Sequence, residues 1–304
     1  MDKRRIGQLE VSVVGLGCNN FGTRLDEPAS AAVIHAALDA GINFLDTADI
    51  YGLGLSEEYV GRALGDRREA MVLATKFGKP MGAGKRGARP DYIRRAVEDS
   101  LRRLRTDRID LYQLHEPDDD VPIADTLGAL DDLVRAGKVR EIGCSNFSAA
   151  QIREASAAAT DKGTAPFTSV QNEYSLLERE PERGVLAECE RLGAAFLPFY
   201  PLASGLLTGK YRRGEPAPQG TRLSKPGRLA EPATDAKLAR VEKLRAFAHE
   251  RGYGLLEIAF AWLLARPVVA SVIAGATSPA QVNANVATVA LEFTAADMRA
   301  LDEI

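Results

Sequence analysis

The stretch INFLDTADIYGLGLSEEYVGRALGDRREAMVLATKFG, residues 42–78, decides the fold. It opens on an apolar run at 42–48 and closes on another, MVLATKF, at 71–77. Between them, residues 55–64 space their apolar side chains at helical intervals. Strand, helix and strand in that order make a unit whose two strands run parallel. The strands are nearly continuous in apolar residues, as expected where both faces are covered.

The same alternation runs through the chain. VVGLG (13–17), IDLYQLH (109–115), VREIGCS (139–145), SVQNEYS (169–175), AFLPFYP (195–201) and ASVIAGA (270–276) bring the predicted strands to eight. Further helices are predicted over 28–40, 90–104, 122–136, 148–159, 180–192, 235–251, 254–265 and 278–289, with a last one near 295–303. Gly41 and Gly137 stand where helix C-termini favour glycine, and Pro90 opens a helix. Eight strand–helix repeats predict a closed (β/α)8 TIM barrel, an α/β fold, with an open doubly wound sheet as the competing architecture. Residues 3–12 read as an N-terminal β-hairpin cap at the barrel bottom, and extra helices follow the last strand. The whole chain, 1–304, is expected to be one domain.

Residues 209–233 break the repeat. They contain Pro216, Pro218, Pro226 and Pro232, and they are basic: Lys210, Arg212, Arg213, Arg222, Lys225 and Arg228 against Glu215 and Glu231. A loop of this length is usually functional or disordered. A clamp over an anionic ligand and a solvated linker are both open readings.

Composition narrows the function. Hydrophobic residues are 45% and charged residues 27%, which excludes a largely disordered or collagen-like chain. With 39 basic against 42 acidic residues, nucleic acid is not an expected partner. Cys18, Cys144 and Cys189 are few, odd in number and widely spaced, so neither a disulfide framework nor a zinc ribbon is indicated. No long apolar segment follows the basic N-terminus, and the apolar run Leu255–Ala265 is too short for a membrane span. A soluble cytoplasmic protein without a membrane partner is expected.

Several tempting motifs fail. GLGCNNFG at 15–22 has Asn20 where the dinucleotide fingerprint needs glycine. GKPMGAGK at 78–85 and GLLTGKY at 205–211 are not Walker A loops, and His115-Glu116 lacks the second histidine of a zinc protease. What remains lies at strand ends, where barrel enzymes place their chemistry. Asp46 ends the second strand with Tyr51 just beyond it, Lys76 lies near the end of the third, and His115 ends the fourth. Each has a bland reading alone: a structural Asp46–Lys76 bridge, a satisfied core histidine, a packing tyrosine. Their conjunction at successive strand ends points to carbonyl chemistry. Lys76 would lower the high pKa of the Tyr51 phenol, Asp46 would orient the lysine, and His115 would bond a substrate oxygen. Tyr51 then acts as general acid toward a carbonyl oxygen, and the hydride must come from a nicotinamide cofactor. Ser145, Asn146 and Gln171 are placed to bond its carboxamide, and Phe199 to stack on its ring. The helix beginning near 278 offers backbone N–H groups to a phosphate.

At this point the sequence resembles the aldo-keto reductase superfamily along essentially its whole length, most of all bacterial members related to the potassium-channel β-subunit branch. The matching segments are DTADIYGLGLSEEYVGRAL, ATKFG, SLRRLRTDRIDLYQLHEPD, GCSNFS, QNEYSLLER, FYPLASGLLTGKY and VIAGATSPAQVNAN. The resemblance implies a barrel that binds NADP(H), with NAD(H) left open, and a catalytic set of Asp46, Tyr51, Lys76 and His115. It implies Tyr200, Pro201, Leu202, Ala203, Ser204, Lys210 and Arg222 along the phosphates, and Gly275, Thr277, Gln281 and Asn285 around the adenosine. Tyr200 stands where many relatives have serine, Ala284 replaces a frequent glutamate, and Gly275, Thr277 and Gln281 fall where various relatives place a cation for the 2′-phosphate. Lys210 or Arg222 is the substitute. The implied activity is NAD(P)H-dependent reduction of a small aldehyde or ketone. The alternative is a cofactor-binding, redox-sensing barrel with little turnover. Loops holding Asn19, Asn20, Phe21, Phe77 and residues 81–90 are expected to touch the substrate, Trp262 reads as core, and oligomeric state stays open.

Overall fold

In the computed structural model, which describes residues 1–224, 234–291 and 293–304, all eight predicted parallel strands form. They follow an antiparallel hairpin of β1 (Lys3–Ile6) and β2 (Leu9–Ser12). The barrel strands are β3 (Val14–Gly17), β4 (Phe44–Asp46), β5 (Val72–Phe77), β6 (Ile109–Leu114), β7 (Val139–Ser145), β8 (Ser169–Glu173), β9 (Ala195–Phe199) and β10 (Val272–Gly275). Their order is β10-β3-β4-β5-β6-β7-β8-β9, parallel throughout. Phe196 on β9 closes the circle. Its N–H donates to the Val268 carbonyl at 2.7 Å, and its own carbonyl accepts from the Ala270 N–H at 3.0 Å. The open sheet is thereby excluded.

The helices are α1 (Glu27–Asp39), α2 (Leu55–Leu64), α3 (Pro90–Leu104), α4 (Ile123–Arg135), α5 (Ala149–Lys162), α6 (Val185–Leu192), α7 (Asp235–Glu250), α8 (Leu255–Leu264), α9 (Pro279–Ala287) and α10 (Ala295–Asp302). Local chemistry sets their starts. The Asp26 carboxylate accepts from the Ala29 N–H, and Ser148 forms a reciprocal capping box with Gln151. Successive helices α1 to α6 pack side by side, and α9 returns against α1. The helix expected over 180–192 begins instead as a tight turn at Glu180–Arg183, broken from α6 at Gly184. Residues 209–224 are irregular apart from a short turn at Arg222–Ser224. Lys225, Pro226, Arg228, Glu231 and Pro232 lie outside the described residues. Among the described residues no helix is long and apolar enough to cross a membrane.

The barrel interior is graded from end to end. Side chains two residues apart on a strand share a face. At the N-terminal end the inward layer is apolar: Phe44, Ala74, Leu111 and Leu197, closed from below by Ile6, Leu9 and Val11 of the hairpin. Two residues further along β4, β5, β6 and β8 the same face carries Asp46, Lys76, Gln113 and Gln171. The hairpin therefore seals the apolar end, as expected, and leaves the polar end as the mouth.

The helix layer is tight where α2 crosses the C-terminus of α3. A Cβ on Gly61 would come within 2.6 Å of the Leu104 carbonyl oxygen, a backbone atom that cannot swing aside. Gly61→Ala is expected to destabilise the protein by about 1–3 kcal/mol in chemical denaturation. Gly128 on α4 has open space around it. Gly128→Ala is expected to stabilise by roughly 0.5–1 kcal/mol, as a helix-interior glycine removed.

Candidate active site

β5 carries Lys76 to the polar end with no solvent exposure. A buried ammonium must be neutralised and its three protons accepted. One goes to Asp46 Oδ2 at 2.6 Å and one to the Thr47 carbonyl at 2.9 Å. Nζ also lies 5.2 Å from the centre of the Tyr51 ring. Asp46 Oδ1 accepts from Gln171 Nε2 at 3.0 Å and Gln113 Nε2 at 3.3 Å. Gln113 escaped the sequence reading, although its place two residues before His115 on an alternating strand puts both on one face.

Tyr51 leaves β4 on a short loop pinned to the neighbouring strand, where the Asp49 N–H donates to the Lys76 carbonyl at 3.1 Å. Gly52, Leu53 and Gly54 all have positive φ, which turns the chain sharply into α2. The His115 ring meets Tyr51 edge-on, with centroids 5.9 Å apart. The four candidate catalytic side chains thus converge.

The electrostatics correct one expectation. Burial raises the Tyr51 pKa, and Lys76 only partly offsets it, so the phenol sits above its ordinary value and holds its proton. Burial opposes the Lys76 charge, but Asp46 overrides it and keeps the ammonium more firmly protonated than usual. His115 is driven down to about 2 by burial, with Lys76 and Lys79 adding repulsion, so its imidazole is neutral. Asp49, buried and close to Glu57, is pushed up to about 7.

The candidate cofactor positions ring the same mouth. Ser145 ends β7, and Asn146 follows in a left-handed conformation (φ 63°) with Nδ2 donating to the His115 carbonyl at 2.9 Å. Phe199 ends β9, half-buried, with Tyr200 edge-on at 5.3 Å. Tyr200, Ala203 and Ser204 all have positive φ, and Pro201 is buried while Leu202 is half-buried. Lys210 is exposed and folds back beside Gly205, its Nζ 5.3 Å from the Tyr211 ring centre. Arg222 belongs to a described turn, but its side chain lies outside what the structure describes. Gly275 ends β10. The Thr277 N–H and hydroxyl both donate to Gln281 Oε1, at 2.9 and 3.2 Å, and Asn285 is buried on α9.

Two other sequence readings change. Phe21 and Phe77, expected at the substrate, are fully buried on the outer face of the barrel, where Phe77 stacks on Tyr112 at 4.7 Å. The exposed apolar side chains near the mouth are instead Leu53, Leu55 and Tyr200. Arg213 of the basic segment is committed to Asp235 on α7 through two bonds of 2.7 Å. It anchors the loop to the barrel.

The family model for aldo/keto reductases matches residues 13–304. The chain belongs to the aldo/keto reductase family. It is 36% identical over 285 residues to the aldo-keto reductase YhdN of Bacillus subtilis, covering 91% of this chain and 84% of that protein. It is similar in structure to the glycerol dehydrogenase AKR11B4 from Gluconobacter oxydans: TM-score 0.85, 34% identity, 99% of this chain and 94% of that one. It is also similar to the aldo-keto reductase AKR11C1 from Bacillus halodurans in its holo form: TM-score 0.82, 35% identity, 100% and 96% covered. This aldo/keto reductase is an NAD(P)H-dependent oxidoreductase acting on carbonyl and alcohol groups.

Lys76→Met is expected to leave Asp46 buried without its cation and to cost about 3–5 kcal/mol in urea denaturation. Asp49 makes a second, pH-dependent prediction. Its folded pKa of about 7 exceeds the ordinary 3.8, so the native state binds the extra proton and stability falls as pH rises through that window. Asp49→Asn is expected to match the wild type near the acid end and exceed it above neutrality by up to about 4 kcal/mol.

Proposed function

We propose that residues 1–304 act as one catalytic unit that reduces small aldehydes and ketones to alcohols with NADP(H). Tyr51 is the proton donor, assisted by Lys76, Asp46 and His115. The observation that carries this reading is the fully buried Lys76 ammonium, bonded to Asp46 and the Thr47 carbonyl with the Tyr51 ring centre 5.2 Å from its Nζ. A structural bridge would need only Asp46. The nearness of Tyr51 supports chemistry, because it sets a fixed positive charge beside an exchangeable proton at the mouth.

The residues fit a nicotinamide cofactor. With its Nε2 held by Asp46, Gln171 offers Oε1 to a carboxamide N–H, beside Ser145 and Asn146. Phe199 offers a half-buried aromatic face for stacking. Tyr200, Ala203 and Ser204 adopt left-handed backbone conformations in a tight turn after β9, the kind of turn that can present backbone N–H groups to phosphate oxygens. Pro201 and Leu202 lie within that turn, and Lys210 and Arg222 supply cations. Ser278 caps α9, so Gly275, Thr277 and Gln281 stand about a helix N-terminus, with Asn285 farther along the same helix, for the adenosine end. The choice of NADP over NAD rests on Lys210 and Arg222, since Thr277 and Gln281 are neutral and bonded to each other. Three free, buried cysteines suit a reducing cytoplasm.

The bound nicotinamide supplies the hydride. The protein manages the proton. Tyr51 keeps its phenolic proton in the resting site because burial outweighs the Lys76 effect. As negative charge grows on the carbonyl oxygen, Tyr51 donates that proton, and Lys76 stabilises the phenolate left behind. Neutral His115 donates a hydrogen bond to the same oxygen without competing as an acid. At the rim, Lys79 and Glu116 pair at 3.6 Å beside His115, a polar edge suited to hydroxylated carbonyl compounds. Such compounds head the substrate panel, since one structural relative is a glycerol dehydrogenase.

Tyr51→Phe tests the reading. Single-turnover reduction is expected to fall about 10²–10⁴-fold, with NADPH affinity by calorimetry unchanged. Undiminished turnover in this variant overturns it. Competition between NADPH and NADH for the wild-type protein is expected to favour NADPH, and equal affinity removes the roles given to Lys210 and Arg222.

A further inference from the structure

Three buried carboxyl groups stand behind Tyr51 with two cations to face them. Asp46 is satisfied by Lys76, Gln113 and Gln171. Glu57, with no exposure, accepts from Thr75 Oγ1 at 2.6 Å and from Arg103 Nε at 2.7 Å. Asp49 is the third. It is 2% exposed, it lies two residues before Tyr51, and its Oδ1 has no hydrogen-bond partner among the described residues. The groups facing it are Glu57 and Arg103, Lys76, and the phenols of Tyr92 and Tyr112. The Tyr112 hydroxyl is likewise buried without a partner among the described residues, and its ring stacks on Phe77, the residue after Lys76.

We propose that Asp49 is a positioning residue that carries a proton in the active protein, and that its ionisation weakens proton donation by Tyr51 through Lys76. The proposal rests on the reading of Tyr51 as proton donor. Burying a surplus charge costs far more than holding a proton, so one of the three carboxyls stays neutral. Asp46 and Glu57 each have a cation within 2.7 Å, which leaves Asp49. Burial and the Glu57 charge push its pKa up, the Ile50 N–H, Arg103 and Lys76 draw it down, and the balance falls near neutrality. His115 is neutral far below that range and does not titrate there. When Asp49 loses its proton, a second negative charge faces the Lys76 ammonium. The field that stabilises the Tyr51 phenolate is then partly cancelled, and the phenol becomes a poorer donor. The Asp49 N–H to Lys76 carbonyl bond holds the two residues in this relation.

The test is the rate of single-turnover carbonyl reduction against pH, with NADPH bound. The wild type is expected to lose about three- to tenfold across an inflection near neutrality, the effect of half to one pKa unit on Tyr51. Asp49→Asn, a fixed neutral isostere, is expected to lack the inflection and to exceed the wild type on the alkaline side. Arg103→Gln, which removes a cation favouring the carboxylate, is expected to move the inflection to higher pH, while Arg103→Lys leaves it in place. An Asp49→Asn profile that keeps the inflection, or falls by one factor at every pH, overturns the proposal. Infrared spectroscopy of the wild type supplies a readout independent of any variant's folding. A buried protonated carboxyl band is expected to vanish as pH crosses neutrality, and its absence at acid pH also overturns the proposal. Tyr51→Phe keeps the two readings apart: full activity there sinks the proton-donor reading, whereas an inactive Tyr51→Phe beside an unaltered Asp49→Asn profile sinks only the role of Asp49.

Discussion

A lysine ammonium with no access to water, 2.6 Å from an aspartate, is the constraint from which the rest follows. Such a charge is tolerated only if every proton finds an acceptor and the partner's oxygens are themselves filled. That requirement ties β4 to β5 through the ion pair, and draws in β6 and β8 through Gln113 and Gln171. It also recruits the Thr47 carbonyl, which fixes the start of the loop leading to Tyr51. One charge pair thereby aligns four of the eight strands and aims the phenol.

The pair is possible only because the barrel interior is polarised along its axis. The hairpin side chains Ile6, Leu9 and Val11 pack against the apolar residues of one end, and the charged pair lies toward the other. Backbone strain follows the same division. Among the described residues, the non-glycine positions with positive φ are Leu53, Asn146, Tyr200, Ala203 and Ser204, all at the mouth, and Arg105, which caps the far end of α3. Strained conformations persist where the surrounding structure enforces them, commonly at functional sites. A rigid closed sheet supplies that enforcement here.

Much of this was legible in the sequence because it depends on local periodicity. Strand ends follow from apolar runs, and Asp46, Lys76 and His115 follow from strand ends. What stayed hidden depends on which face a residue takes or on contacts distant in sequence. Phe21 and Phe77 lie beside mouth residues in the chain but turn outward into the helix layer. The Glu57–Arg103 pair joins α2 to α3 across 46 positions, and no spacing rule announces it. Gln113 looks like an ordinary polar residue in a strand until the period-two face is followed to His115. The direction of the Tyr51 pKa was misjudged for a related reason. The charge of Lys76 is visible in a motif, whereas the depth of burial that outweighs it is a property of the closed barrel.

Burial in that space acts on every titratable group in one direction, toward the neutral form. It raises the acids Tyr51 and Asp49 and strips His115 of its charge. Lys76 escapes because Asp46 pairs with it. On the proposed reading, Tyr51 is a neutral acid and His115 a neutral hydrogen-bond donor beside the buried, compensated Lys76–Asp46 pair. If Tyr51 is the proton donor, a developing oxyanion meets a donor whose conjugate base is already provided with a cation. Stabilisation that grows with the charge on the oxygen is what separates a catalyst from a binding site. On the proposed reading that difference traces to the placing of Lys76 where water cannot reach it.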